Sequence, residues 1–99
     1  LSLGGLGVIS VLSNIYPKFV HNMVINYLNG KHNAALAAQL NSLELINTLF
    51  SEVNPIPVKE ALNILGFNFG NPRLPLVEMS ETAKVKLKQA IEKFAKTTN

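Results

Sequence analysis

Ninety-nine residues, 47% hydrophobic and 15% charged, suffice for one domain with a packed core and leave no room for a second. The absence of cysteine excludes disulfides, thiolate metal sites and a cysteine nucleophile, and it fits a reducing compartment, so a cytoplasmic location is expected. The net charge of +3 raises nucleic acid as a partner, but Lys84, Lys86, Lys88, Lys93 and Lys96 crowd one segment and Arg73 is the sole arginine. Such a segment reads as a solvated helix face rather than as a nucleic-acid site, which would interleave arginines and exposed aromatics with the lysines.

No apolar run approaches bilayer length, and the start "LSLGGLGVISVLSN" lacks the basic flank and cleavage pattern of a signal peptide, so no membrane partner is expected. The chain begins at Leu1 rather than methionine, which suggests processing or a piece of something longer. Gly4 and Gly5 follow a short apolar stub as the end of a helix would. Gly7 to Val11, "GVISV", is β-branched without polar alternation and predicts a strand buried on both faces, as in a parallel sheet.

Ser13 or Asn14 can cap a helix in which Pro17 sits early, with Phe19, Val20, Met23, Val24 and Tyr27 on its apolar face and Gly30 beyond its end. A second helix is predicted from Asn33 to Ser51, with Leu36, Leu40, Leu43, Ile46 and Phe50 recurring at helical spacing. Pro55 ends it, and Pro57 opens a short third helix that runs to Leu65 and stops at Gly66. Phe67 to Met79, with one glycine and two prolines, reads as an extended connection. Ser80 caps the last helix, whose inward face is Ala83, Leu87, Ala90, Ile91 and Phe94, with Glu81 in its first turn.

A single buried strand cannot stand alone, because its backbone donors and acceptors need partners. The remaining residues offer no second strand, so either two copies pair or the chain is the tail of a larger parallel α/β protein.

Three stretches carry a resemblance in order and spacing: "GGLGVISVLSNIYPK" at 4 to 18, "NPIPVKEAL" at 54 to 62 and "RLPL" at 73 to 76. The chain resembles the C-terminal portion of the dihydrodipicolinate synthase family over essentially its whole length. The resemblance implies a mostly α chain, the C-terminal piece of a (β/α)8 barrel plus a helical extension. Residues 1–30 would hold the end of barrel helix 7, barrel strand 8 and helix 8, and residues 31–99 the extension. It further implies a Schiff-base lyase of lysine (diaminopimelate) biosynthesis that condenses pyruvate with aspartate semialdehyde, needs no cofactor, and forms a homo-oligomer. The reactive lysine would lie on an earlier strand, so no catalytic residue is expected here and the segment alone should be inactive. One position carries over: Ile9, whose backbone would lie beside bound pyruvate at the carboxyl end of its strand.

The other candidates have plainer readings. Lys18, Lys31 and Lys59 lie in loops or first helical turns rather than in the desolvated sites that activate a Schiff-base lysine. Ser10 has no evident base, so a nucleophilic serine is not expected. His21 and His32, with no aspartate or cysteine in the chain, do not make a metal site. Glu44, Glu52 and Glu60 are scattered and form no acid/base pair. The alternative from another class is a non-catalytic helical module that self-associates or binds a partner through exposed apolar faces.

Overall fold

The computed structural model describes residues 1–98. A short 3-10 turn, Leu12–Asn14, leads into four helices: α1 (Pro17–Leu28), α2 (His32–Leu49), α3 (Ile56–Ile64) and α4 (Glu81–Thr98). Helix α2 packs against both α1 and α4, while α3 closes the far side against α4. The core lies where these meet, built from Leu45 and Leu49 of α2, Val58 and Ala61 of α3, and Leu87, Ile91 and Phe94 of α4. Leu12, Ile15 and Val20 extend it under the first turn, and Met79 pins the end of the long connection to it.

Local chemistry accounts for most boundaries. Pro17 occupies the first turn of α1, where a missing N–H costs nothing. Gly66 adopts φ +96 after α3 and donates its N–H to the Asn63 carbonyl, a left-handed stop that an L side chain would resist. Ser80 accepts the Ala83 N–H at 3.4 Å and donates its hydroxyl to Glu52 at 2.7 Å, so the cap of α4 also ties it to the end of α2. The inward face of α4 is as expected, with Leu87, Ala90, Ile91 and Phe94 all buried.

Three sequence expectations need correction. Residues 5–10 carry no regular structure, and the described residues contain no strand. Strand geometry is held by ladder hydrogen bonds from neighbouring strands, and with none among the described residues the β-branched run stays unpaired. Ser13 and Asn14 do not cap α1. Tyr16 holds that position without a side-chain hydrogen bond, while Ser13 and Asn14 fold back on Ser10 and Val11. At the start of the chain Ser2 and Leu3 form a turn, with the Gly4 N–H donated to the Leu1 carbonyl and Gly4 at φ +99.

The third correction concerns the face of α2. Ala35, Ser42, Leu45 and Leu49 are its buried residues, whereas Leu36, Leu40 and Leu43 stay 41–57% exposed and Phe50 lies outside. The helix carries two apolar stripes, and the one with small residues faces its neighbours because it admits the closer approach. Ser42 is fully buried at no polar cost, since its hydroxyl donates to the Gln39 carbonyl at 2.9 Å.

Candidate functional site

The residues singled out for chemistry do not converge. Lys18 and Lys31 are exposed, the first in the opening turn of α1 and the second just before α2. Lys59 lies in the first turn of α3, half-buried at the edge of an open cavity of about 340 Å³ shared with Asn14, Pro55 and Phe69. On α4, Lys84 pairs with Glu78 and, at 3.5 Å, with Glu81. The hydrogen bond that Lys84 donates to Glu78 raises its pKa, the opposite of what an imine-forming amine requires. Lys93 reaches Glu44 at 2.7 Å across the α2/α4 seam.

The histidines are equally plain. His21 is exposed on α1, and His32 stacks on Tyr27 with ring centroids 4.3 Å apart, closing the α1/α2 turn. Among the described residues no three His, Cys, Asp or Glu side chains gather as metal ligands. Glu44 serves the Lys93 ion pair and Glu52 accepts the Ser80 hydroxyl, while Glu60 sits half-buried on α3, so no two of them form an acid/base pair. Tyr16 packs against Phe94 at 4.8 Å, and burial pushes its hydroxyl above the usual tyrosine range.

The segment before α1 has the more informative geometry. Leu6 and Ile9 project fully into solvent, and no backbone hydrogen bond reaches residues 5–9 from the described part of the chain. Beneath the segment lies an open cavity of about 300 Å³ lined by Val8, Ile9, Leu12, Met23, Ile46 and Phe50. Hydrogen bonding resumes at Ser10. The Ser13 hydroxyl donates to the Ser10 carbonyl at 2.6 Å, and the Ser13 N–H donates to the Ser10 hydroxyl at 3.3 Å. Asn14 donates its side-chain amide to the Val11 carbonyl at 3.0 Å, closing a second ring over the first.

Ser10 is thus engaged as an acceptor, through its hydroxyl and its carbonyl, by Ser13 alone. The Ser10–Ser13 bracket itself escaped the sequence reading, although two serines three residues apart are a local signal for such backbone bonding. Ile9 sits immediately ahead of it with its backbone open.

Known proteins share this arrangement closely. The model described as "Dihydrodipicolinate synthetase family" matches residues 1–94. A 4-hydroxy-tetrahydrodipicolinate synthase of Clostridium novyi (strain NT) is 52% identical over 98 residues, 99% of this chain and 33% of that protein. One from Caldicellulosiruptor saccharolyticus is 55% identical over 91 residues, 92% of this chain and 31% of that protein. Among solved structures, the dihydrodipicolinate synthase of Thermotoga maritima superposes with a TM-score of 0.91 at 38% identity, covering 95% of this chain and 32% of that one. The chain therefore spans about a third of the length of the curated relatives it matches.

Proposed function

Because the chain belongs to the dihydrodipicolinate synthetase family, we propose that it supplies the C-terminal third of a 4-hydroxy-tetrahydrodipicolinate synthase. In this reading residues 1–30 give the last strand and helix of a (β/α)8 barrel, and residues 31–99 the helical extension. The observation that carries it is the segment 7–11: β-branched, without a backbone hydrogen bond at residues 7–9, and leading through the Leu12–Asn14 turn into α1, as a barrel strand waiting for neighbours would be.

The chemistry would begin elsewhere on the full enzyme. A lysine amine attacks the ketone of pyruvate and water leaves, giving a protonated imine. Loss of a methyl proton then forms an enamine, whose carbon attacks the aldehyde of aspartate semialdehyde. The 99 residues would contribute no group to these proton transfers. Ile9 would lend its backbone to shape the pyruvate site at the carboxyl end of its strand. No cofactor is needed for this sequence of steps, and a cytoplasmic homo-oligomer suits it.

A chimera tests the reading. Replacing the matched third of the Clostridium novyi synthase with this chain is expected to give an enzyme that condenses pyruvate with aspartate semialdehyde within about tenfold of the parent, a loss of no more than ~1.4 kcal/mol in barrier. A chimera that folds like the parent yet shows no condensation would contradict it.

The second reading, a self-associating helical module, is favoured by the exposed Leu36, Leu40 and Leu43 of α2 together with Leu3 and Leu6.

A further inference from the structure

Asn29 is the one asparagine of the sequence that glycine follows. A peptide nitrogen can attack the side-chain carbonyl carbon of the asparagine before it, and the side chain of the attacking residue is what ordinarily crowds the ring closure. Gly30 has none. Asn29 and Gly30 are both exposed at the corner between α1 and α2, and no group beyond its chain neighbours lies within 4 Å of where a Gly30 Cβ would stand. Gly30 holds φ +82, a conformation that suits glycine and resists an L side chain.

Three contacts keep this corner closed. The Gly30 N–H donates to the Tyr27 carbonyl at 3.0 Å, and the Lys31 N–H donates to the Asn26 carbonyl at 2.7 Å. The Tyr27 ring stacks on His32, which joins the last turn of α1 to the first of α2. The nitrogen that would attack is therefore engaged in a helix-end bond. With Asn29 at ψ 8, the Asn29–Gly30 peptide also has to turn before that nitrogen faces the side-chain carbon. Exposed bonds at a helix end open at small cost, so the corner acts as a gate.

We propose that Asn29 is a self-modification site whose rate is set by opening of the α1/α2 corner. When the corner opens, the Gly30 nitrogen gives its proton to water and bonds to the Asn29 Cγ. The side-chain nitrogen takes a proton from water and leaves as ammonia, which closes a five-membered succinimide. Water then opens the ring at either carbonyl, giving aspartate or isoaspartate. Nothing is oxidised or reduced, and water is the only other reactant. Either product places a carboxylate at the C-terminal end of α1, where the last carbonyls already carry partial negative charge and the last turn has no basic side chain. Isoaspartate also adds a carbon to the main chain, so the bond from Lys31 to Asn26 loses its register.

The test follows the 99-residue chain through a prolonged incubation at neutral pH, with intact mass for the replacement of amide by acid and peptide mapping for its position. Asn29 is expected to convert at least about tenfold faster than Asn22 or Asn26, which lie inside α1 and precede residues with side chains. Asn29→Gln, which cannot close the five-membered ring, should give no product at this position. His32→Ala, which removes the stack, is expected to raise the rate by about two- to tenfold, the worth of one aromatic contact. Above the urea midpoint the wild-type and His32→Ala chains should convert at one common rate.

Conversion of Asn29 no faster than that of Asn22 or Asn26 overturns the site. An unchanged rate in folded His32→Ala overturns the gate, and so does a difference that persists in urea, which marks the imidazole itself as the agent. The gate is also read without a variant: the wild-type rate should rise as urea approaches the midpoint, and a flat rate overturns it.

Discussion

Leu87→Ala is expected to destabilise the fold by about 2–5 kcal/mol, the range for truncating a buried leucine whose surroundings cannot collapse into the gap. Leu87 is 0% exposed and sits midway along α4, on the face that meets α2 and α3. Removing its isobutyl group leaves a cavity in the core it shares with Leu45 and Leu49 of α2 and Ala61 of α3, which are held by separate helices and cannot all move inward. A domain of this size has roughly 5–15 kcal/mol to lose, so the urea midpoint followed by helical circular dichroism should fall steeply. Val85→Ala, at a position 56% exposed on the same helix, is expected to stay within about 0.5 kcal/mol. Equal effects at the two positions would mean that α4 does not present the face described.

The second large effect is in association. Leu3, Leu6 and Ile9 project from a segment whose backbone is also unpaired, and Leu36 and Leu40 add an apolar stripe on α2. Exposed apolar side chains beside open backbone groups favour pairing with another chain. The 99-residue chain is therefore expected to sediment as a dimer or larger at micromolar concentration. Leu6→Asp together with Ile9→Asp should shift it toward monomer, since each carboxylate would have to be desolvated in the contact. A wild-type chain that remains monomeric across that range would contradict the prediction.

Helix α4 could be read from sequence nearly to the residue because it has one apolar stripe, one cap and an opposite face of lysines, signals that agree with one another. Helix α2 could be located but not oriented. Its two stripes, Ala35–Ser42–Leu45–Leu49 and Leu36–Leu40–Leu43, compete at the same period. What decides between them is how closely α1 and α4 approach, which is tertiary information. Large leucines drew attention to the stripe that faces outward, whereas alanine and serine mark the one that lies against neighbours.

The strand at 7–11 shows a different limit. Composition reports that "GVISV" suits a sheet, but pairing depends on residues distant in sequence, and among the described residues there are none to pair with. The Ser10–Ser13 bracket was local enough to be found. As a nucleophile the Ser10 hydroxyl has no partner in the sequence, whereas as an acceptor for a backbone N–H it has one three residues away. Lys59 follows Pro55 and Pro57 in sequence, and the structure leaves it at the rim of an open cavity on a short helix rather than in an enclosed pocket.

The proposed function is a division of labour: this chain would help to shape a pyruvate site, and the lysine that reacts would belong to the other two thirds of the full-length protein. Borohydride reduction in the presence of pyruvate, followed by intact mass and peptide mapping, tests it directly on the 99-residue chain and on the chimera. The account predicts no adduct on the isolated chain and one adduct per chimera, mapping outside these 99 residues. A stoichiometric adduct on any lysine of the isolated chain, Lys59 included, would contradict it.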